Sequence, residues 1–234
     1  MAEPGERDEV GLGPWVGQWP VGEQWDPELL REGDRRNVED RFRYWRHDAI
    51  VAALDRQRHP LHIAIENWEH DFNIGSIVRT ANAFNVAAFH IVGRRRWNRR
   101  GAMVTDRYQH EIHHPSVADL VAWAAMAGEP ERAPAGRAAV GGAAAGSGGD
   151  GIPIIGVDNV PSSVPIEGYA VPRACVLVFG SEGPGLSAQM RAACSAIVHI
   201  TQYGSTRSIN AGAAAAIAMY EWTRQHVPAA GHHE

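Results

Sequence analysis

The sequence predicts an α/β fold in which a mostly parallel sheet carries helices on both faces. Strand-like and helical patterns alternate, beginning with a strand over residues 61–65, a helix over 74–85 and a strand over 87–92. Such a strand–helix–strand unit joins parallel strands through a right-handed crossover. A later apolar strand, residues 175–179, runs into the glycine-rich loop 180–185. Loops at the carboxyl ends of strands in open α/β sheets bind ligands, so this loop is a candidate site.

The chain divides into an N-terminal appendage and one α/β domain, which suits its length of 234 residues. Residues 1–34 are predicted to be an acidic, irregular arm with Trp15, Trp19 and Trp25. A single arginine-rich amphipathic helix is predicted over 35–58, within a segment 35–59 whose charged face is either solvated or RNA-facing. The α/β domain covers residues 60–226, with a flexible Ala/Gly-rich insertion at 127–151, and residues 227–234 form a tail.

Basic residues restrict the chemistry, because all 22 are arginine and the sequence contains no lysine. This excludes Schiff-base lysine catalysis and the lysine of a P-loop. The arm, residues 1–34, holds nine carboxylates against two arginines, so the rest of the chain is close to +2 although the total is −5. A polyanionic partner is therefore compatible with the charge.

The cellular location is expected to be cytoplasmic. The sequence shows neither a signal-peptide pattern nor an apolar run long enough to cross a bilayer. Cys175 and Cys194 are expected to be core thiols and not a disulfide framework.

The carboxyl-terminal half continues the alternation of strands and helices. A strand is predicted over 152–157, a helix over 187–194, a strand over 196–200, and a helix that runs to about residue 225. The last helix carries an apolar stripe that fits either a subunit interface or the core. Its members are Ile209, Ala213, Ile217 and Tyr220.

A dense basic loop follows the second strand. Its candidate RNA-binding residues are Arg94, Arg95, Arg96, Trp97, Arg99 and Arg100. Arginine forks onto phosphates, and both arginine and tryptophan stack on unpaired bases. The alternative is an exposed basic loop without a function.

The segment His110-Glu111-Ile112-His113-His114 matches the H-E-x-x-H pattern of zinc peptidases. That chemistry needs both outer histidines on one helix, and Pro115 disfavours helical geometry at His114. We therefore predict a polar loop ahead of a helix over 116–126 and no metal site. A zinc peptidase is kept only as a lesser alternative.

Three segments resemble, in order, the motifs of the SpoU/TrmH family of RNA ribose 2′-O-methyltransferases within the SPOUT superfamily. The first is Asn73-x-Gly75-x3-Arg79-x2-Asn82, the second covers residues 178–186 and the third covers residues 208–221. The similar region runs from about residue 61 to 225. The resemblance implies a deep carboxyl-terminal trefoil knot, S-adenosyl-L-methionine as cofactor, and a homodimer whose active site takes residues from both subunits.

The resemblance also implies roles for individual residues. The implied catalytic residues are Arg79, Asn73, Glu182, Ser208 and Asn210. The implied cofactor-binding residues are Val157, Gly180, Glu182, Gly185, Ile200, Ser208 and Ile209, and no metal is expected. The guanidinium of Arg79 stays protonated, so its expected role is to hold a phosphate and orient the ribose hydroxyl.

The implied substrate is structured RNA, and neither DNA nor a membrane is expected as a partner. Transfer RNA is preferred over ribosomal RNA, because no ribosomal-protein-like domain is recognised before the motifs. Thr201-Gln202 stands where the family usually has a proline and often a methionine, which is expected to alter the rim of the cofactor pocket. The main alternative is a non-catalytic RNA-binding protein of the same fold. A dinucleotide oxidoreductase does not fit the glycine spacing.

Overall fold

The computed structural model describes residues 11–68, 73–127, 151–181 and 183–228. Within these ranges, seven strands form one sheet in the order β3-β2-β1-β6-β4-β7-β5, and every neighbouring pair is parallel. The strands are β1 His59–Asn67, β2 Val86–Gly93, β3 Glu111–His114, β4 Ile154–Val157, β5 Val164–Pro165, β6 Cys175–Phe179 and β7 Ala196–His199. The predicted α/β class is confirmed.

Helices cover both faces of this sheet. They are α1 Pro27–Glu32, α2 His47–Asp55, α3 Ile74–Ala83, α4 Val117–Ala127, α5 Ala188–Ala193 and α6 Ala211–His226, with short 3₁₀ helices at Asp40–Phe42, Arg99–Ala102, Thr105–Tyr108 and Ile166–Gly168. Side chains of α3 and α6 pack with Ile63 and Ile65 on one face, and those of α4 and α5 pack with Ala64 on the other. Because both faces are covered, β6 is apolar at every position.

Strand β3 occupies the segment that the sequence analysis assigned to a polar loop, so that prediction was wrong. It pairs with β2, and the Nε2 atom of His113 lies 2.8 Å from the carbonyl oxygen of Gly93. In an extended strand the α-carbons of His110 and His114 lie about 13 Å apart. His110 contacts Asp55, while His114 contacts His90. This arrangement contradicts zinc-peptidase geometry, and the described residues contain no cluster suited to a metal ion.

The predicted single helix over 35–58 was also wrong. The segment contains a 3₁₀ helix, a left-handed turn at Tyr44 with φ of 62°, and then α2. The buried carboxyl group of Asp34 bends the chain, because it binds the guanidinium of Arg36 at 2.7 Å and the backbone N–H of Tyr44 at 2.8 Å. Burial alone would raise the pKa of Asp34, but the hydrogen bonds from Arg36 and Tyr44 hold it below its ordinary value.

The arm is more ordered over residues 11–34 than the sequence indicated. Asp26 caps α1 by accepting hydrogen bonds from two backbone N–H groups, and Pro27 stands at the first helical position. Trp15 packs against Trp25 and, edge to face, against Tyr44. The prediction of an irregular arm was therefore wrong for Pro27–Glu32, which form α1.

Some predictions fall outside the described residues. These are the structure of residues 1–10, nearly all of the insertion at 127–151, and the last residues of the tail. Neither Cys175 nor Cys194 is in a disulfide, and burial raises the pKa of each thiol to about 12. In the described ranges, no helix has the length and apolar character that a membrane crossing needs.

Three histidines form a hydrogen-bonded row across β1, β2 and β3. The Nδ1 atom of His62 lies 3.0 Å from Nε2 of His90, and Nδ1 of His90 lies 2.8 Å from Nε2 of His114. Trp123 of α4 packs against all three rings. Burial lowers the pKa of His62 to about 4, and burial followed by the neighbouring rings lowers that of His90 well below its ordinary value.

This row predicts a loss of stability in mild acid. The unfolded chain takes up protons below about pH 6.5, whereas the buried rings stay neutral in the folded state. The contribution of the row to the free energy of unfolding is complete above that pH. It falls as the pH decreases, by about 1.4 kcal/mol per pH unit for a fully shielded ring. Urea unfolding at pH 7.5, 6.5 and 5.5 measures this change in the free energy of unfolding. The three pH values lie above the range in which carboxyl groups titrate.

The His90→Gln variant should show a smaller dependence on pH by about one proton, and the exposed His47→Gln variant is its matched control. An equal pH dependence in wild type and His90→Gln would contradict the assignment.

Candidate active site

A cavity of about 300 Å³ opens at the carboxyl ends of β4, β6 and β7. Cofactor sites in α/β proteins occupy this edge of the sheet. The residues that line it are Val157, Asp158, Asn159, Phe179, Gly180, Ser181, Gly183, Gly185, His199, Ile200, Gln202, Ser208, Ile209, Asn210, Ala211 and Ala214. The structure thus brings together all the residues expected to bind the cofactor except Glu182, which lies outside the described residues.

The loop after β6 folds back on itself, and two of its glycines are required by that fold. A Cβ on Gly180 would lie 2.0 Å from the carbonyl carbon of Gly185. Gly185 has φ of +70°, and a Cβ there would lie 2.7 Å from the carboxyl group of Asp158. Glycine has no Cβ and adopts positive φ readily, so the two ends of the loop can pack this closely on each other and on Asp158.

Two carboxyl groups fix the far end of the same loop. Oδ2 of Asp158 accepts a hydrogen bond from the backbone N–H of Leu186 at 2.9 Å. Oε2 of Glu66 accepts one from the backbone N–H of Ser187 at 2.8 Å. Neither residue was predicted as part of the site. Asp158 directly follows a strand, which is a signal that could have identified it.

Glu66 also connects this loop to the end of β1. Its side chain is fully buried, and Oε1 accepts a hydrogen bond from Nε1 of Trp68 at 2.7 Å. The hydroxyl of Ser181 donates to the Glu66 carbonyl oxygen at 3.2 Å. A fully buried carboxyl group has to be hydrogen-bonded, so these contacts hold the loop in one position.

Asn210 forms the opposite wall and joins it to α3. Its Oδ1 accepts from the backbone N–H groups of Gly212 and Ala213 at 2.9 and 3.3 Å, and so caps α6. Its Nδ2 donates to Oδ1 of Asn73 at 2.8 Å. Gly212 packs so closely on α3 that an added Cβ would lie 2.5 Å from Oγ of Ser76. Residues 137 positions apart are thus in direct contact.

Arg79 lies on the exposed side of α3 and does not line the cavity. In the part of the chain that the structure describes, no hydrogen bond or ion pair engages its guanidinium. Asn73, at the start of α3, is buried, and its side chain accepts a hydrogen bond from Asn210. The sequence grouped Arg79 with the cavity residues, and the structure places it on the helix that adjoins them.

The basic loop is anchored beside the start of α3. Nδ2 of Asn67 donates to the carbonyl oxygens of Arg94 and Arg96 at 2.6 and 3.0 Å. The 3₁₀ helix Arg99–Ala102 packs against α3, where a Cβ on Gly75 would lie 2.6 Å from Cα of Gly101. The loop is therefore adjacent to the helix that carries Asn73 and Arg79.

Within the basic loop, two expected RNA contacts are already engaged. Arg99 pairs with Asp106 at 2.6 Å and with Glu111 at 2.8 Å, and its guanidinium lies 4.7 Å from the ring centre of Trp97. Trp97 also packs edge to face on Phe89. The other four arginines of the basic loop are exposed and have no such pairs among the described residues: Arg94, Arg95, Arg96 and Arg100.

Helix α6 presents an apolar face to solvent, so the core alternative is wrong for the carboxyl-terminal part of its stripe, and the subunit interface stays a prediction. Ile217 is 42% exposed and Tyr220 is 61% exposed, and both belong to the predicted stripe. The core is contacted by a different set of residues: Ala215, Ala218, Met219 and Trp222.

Comparison with known proteins identifies the family of the chain. The family model of the SpoU rRNA Methylase family matches residues 60–220. A protein of Mycobacterium ulcerans, named an uncharacterized tRNA/rRNA methyltransferase, is 34% identical over 179 residues, which are 76% of this chain and 51% of that protein. The chain therefore spans about half the length of the curated relatives that it matches.

Solved structures share the fold. The A. aeolicus TrmH/SpoU tRNA modifying enzyme superposes with a TM-score of 0.59 at 18% identity, covering 76% of this chain and 81% of that one. The SpoU methyltransferase AviRb from Streptomyces viridochromogenes, in complex with AdoMet, gives 0.55 at 23% identity, covering 72% and 58%. With the family model matched over most of the α/β domain, the chain belongs to the SpoU rRNA Methylase family.

Proposed function

We propose that the protein transfers a methyl group from S-adenosyl-L-methionine to a ribose 2′-hydroxyl in structured RNA. One observation carries the proposal: the hydrogen bond between Asn210 and Asn73 joins the wall of the cavity to the helix that bears Arg79. A cofactor in the cavity and a ribose beside α3 would then meet at this junction. Family membership and the three motifs support the same reaction.

The lining of the cavity fits the proposed cofactor. Val157, Ile200 and Ile209 supply apolar surface for an adenosyl group, and Gly180 and Gly185 add backbone to the lining. When bound, S-adenosyl-L-methionine supplies an activated methyl group as the electrophile. The residues proposed to hold it are Val157, Gly180, Glu182, Gly185, Ile200, Ser208 and Ile209.

The protein's own contribution is alignment. In the reaction an O–CH₃ bond forms at the ribose, the S–CH₃ bond breaks, and the hydroxyl proton leaves. Arg79 stays protonated, so it holds the adjacent phosphate and orients the hydroxyl, and the proton passes to that phosphate or to water. Asn73 and Asn210 fix the relative position of α3 and the cavity, and Glu182 and Ser208 complete the proposed catalytic set.

RNA is proposed to lie over the exposed arginines of the basic loop. Arg94, Arg95, Arg96 and Arg100 are available to phosphates, and the packing of this loop on α3 directs the RNA toward Arg79. Transfer RNA is proposed ahead of ribosomal RNA.

A homodimer completes the proposal. The exposed apolar face of α6, with Ile217 and Tyr220, is a suitable surface for a second copy of the chain. The active site shared between subunits and the trefoil knot, both implied by the resemblance, stay predictions.

The direct test is methyl transfer from radiolabelled S-adenosyl-L-methionine to total tRNA and to rRNA, followed by nucleoside mass spectrometry. The expected product is a 2′-O-methylated nucleotide at a defined position. Methylation on a base would contradict the ribose assignment. Cofactor and RNA binding without transfer would favour the non-catalytic alternative.

Replacement of Arg79 by Ala should remove turnover and leave cofactor affinity unchanged. The side chain lies outside the cavity, and loss of substrate alignment costs about 100-fold or more in rate. Single-turnover transfer and calorimetry with S-adenosylhomocysteine measure the two properties. Arg56→Ala, another exposed arginine, is the matched control. Weaker cofactor binding by Arg79→Ala would contradict the proposed role.

Combined replacement of Arg95, Arg96 and Arg100 by Gln should weaken RNA binding and reduce its salt dependence. Each lost phosphate contact lowers the slope of log affinity against log salt by about one. Filter binding from low to moderate salt measures the slope. Arg99→Gln is the control, because Arg99 is paired within the protein. Equal slopes for the triple variant and wild type would count against this surface.

A further inference from the structure

Met103 and Val104 form an exposed apolar tip with an unusual backbone. Both residues adopt left-handed conformations, with φ of 49° and 70°, and each is 54% exposed. Few residues other than glycine adopt this region, and a β-branched residue such as valine is an outlier there. The other non-glycine residues with positive φ in the described ranges, Tyr44 and Asn85, are not exposed. Backbone strain of this kind clusters at functional positions, so the apolar tip is a candidate contact surface.

Residues on either side hold the apolar tip in its conformation. The hydroxyl of the buried Thr105 donates to the carbonyl oxygen of the buried Ala102 at 2.6 Å, which closes the chain across the tip. The backbone N–H of Arg107 donates to the carbonyl oxygen of Val104 at 3.3 Å. These contacts, and not the packing of the two exposed side chains, fix the backbone. The side chains of Met103 and Val104 are therefore available to a partner.

The apolar tip lies beside the middle of α3. The segment that contains the tip meets the first turn of α3 where Gly101 packs on Gly75. It reaches the other end of the helix at Tyr108, because the guanidinium of Arg58 donates both to the carbonyl oxygen of Tyr108 at 2.8 Å and to Oδ1 of Asn85 at 3.4 Å. The tip comes halfway between these two contacts.

Arg79 lies between the apolar tip and the side of α3 that adjoins the cavity. Helix α6 packs on α3 at Ser76, whereas the segment with the tip packs on it at Gly75. Arg79 is three positions after Ser76 and four after Gly75, so it lies on the exposed strip between the two contacts. RNA held at Arg79, with its target ribose toward the junction of Asn73 and Asn210, would then place a neighbouring nucleotide over the tip.

The charge around the apolar tip selects the partner. Arg100 precedes the tip in the chain, Arg107 follows it, and both are exposed. A polyanion fits this surface, whereas a second copy of the chain that met it by two-fold symmetry would oppose arginine to arginine. In RNA, the apolar surface that could pack on such side chains is the face of a base. That face is accessible where the base is unpaired and unstacked.

We propose that Met103 and Val104 pack against the face of an unpaired base next to the target nucleotide, and that they thereby direct the protein to looped RNA. This inference rests on the proposed function, since it presumes that RNA is bound at Arg79. It assigns a contact with bases to two residues outside the three motifs, whereas the exposed arginines of the basic loop are assigned to phosphates.

The test compares RNA with and without bases. The probes are a short fluorescein-labelled oligoadenylate and an abasic strand of equal length, in which hydrogen replaces each base, and fluorescence anisotropy measures their binding. Wild type should bind oligoadenylate more tightly by about tenfold, the order of effect of one base packed on a protein side chain. The double variant Met103→Gly/Val104→Gly should lose most of this preference. Its salt dependence should stay unchanged, because no phosphate contact is removed.

Two control variants separate contacts with bases from contacts with phosphates. Arg100→Gln, next to the tip, should weaken binding of both strands equally and lower the slope of log affinity against log salt by about one. Val121→Ala, at an exposed valine of α4 on the other face of the sheet, should behave as wild type.

The double glycine variant should remain folded. Glycine adopts positive φ without strain, so this variant should unfold thermally at or above the temperature of wild type. Met103→Leu keeps an apolar side chain and should keep the preference for oligoadenylate. If the double variant does not fold, Val104→Asn decides the same point, since asparagine tolerates the left-handed conformation and is polar.

Each result bears on the inference or on the proposed function. An unchanged preference for oligoadenylate in the double variant would overturn the inference and leave the proposed function standing. A changed oligomeric state of that variant in sedimentation would also overturn the inference, because the tip would then be a contact between copies. Wild type that binds tRNA but not oligoadenylate would overturn the inference alone. Wild type that binds no RNA would overturn the proposed function itself.

Discussion

The arrangement of the site depends on one contact, the hydrogen bond of 2.8 Å between the side chains of Asn210 and Asn73. It links the first turn of α6 to the start of α3, and the close packing of Gly212 on Ser76 leaves the two helices little freedom to separate. Helix α6 begins at the cavity and α3 carries Arg79. This contact therefore fixes the position of the proposed cofactor site relative to Arg79. Catalysis by alignment needs such a fixed junction, since displacements of about 1 Å reduce rates strongly.

The shape of the cavity itself depends on two carboxyl groups that form hydrogen bonds with the backbone of the loop. Glu66 and Asp158 each accept a hydrogen bond from the N–H groups at the end of the glycine-rich loop. Glycines make the close return of the loop possible, and the carboxyl groups select one conformation from those that glycine allows. A loop that is preorganised in this way loses less conformational entropy when a ligand binds. Glycine conformation and the carboxyl hydrogen bonds together explain why a loop with glycines at 180, 183 and 185 can serve as a binding surface.

Local pattern predicted the central elements, and contacts between distant residues account for the errors. Strand β6 was predicted with its observed bounds. It is buried on both faces, so every one of its residues is apolar and the run is visible in the sequence. Strand β3 was missed, since its histidines pair with neighbouring strands and give no apolar signal. The segment after Asp34 forms a 3₁₀ helix, a turn and α2 instead of one helix. This break depends on the ion pair between Asp34 and Arg36, which hydrophobic periodicity cannot reveal. In the site, glycine loops identified much of the lining, but the contribution of Glu66 depends on its contacts with a distant segment.

The most direct measurement is a crystal structure of the protein with S-adenosylhomocysteine. The account predicts that the ligand lies between the loop at Gly180 and the segment Ser208–Asn210, with its sulfur toward the Asn73–Asn210 junction and Arg79 free to reach a ribose beside it. A ligand bound elsewhere, or bound in the cavity with its sulfur directed away from α3, would contradict the account.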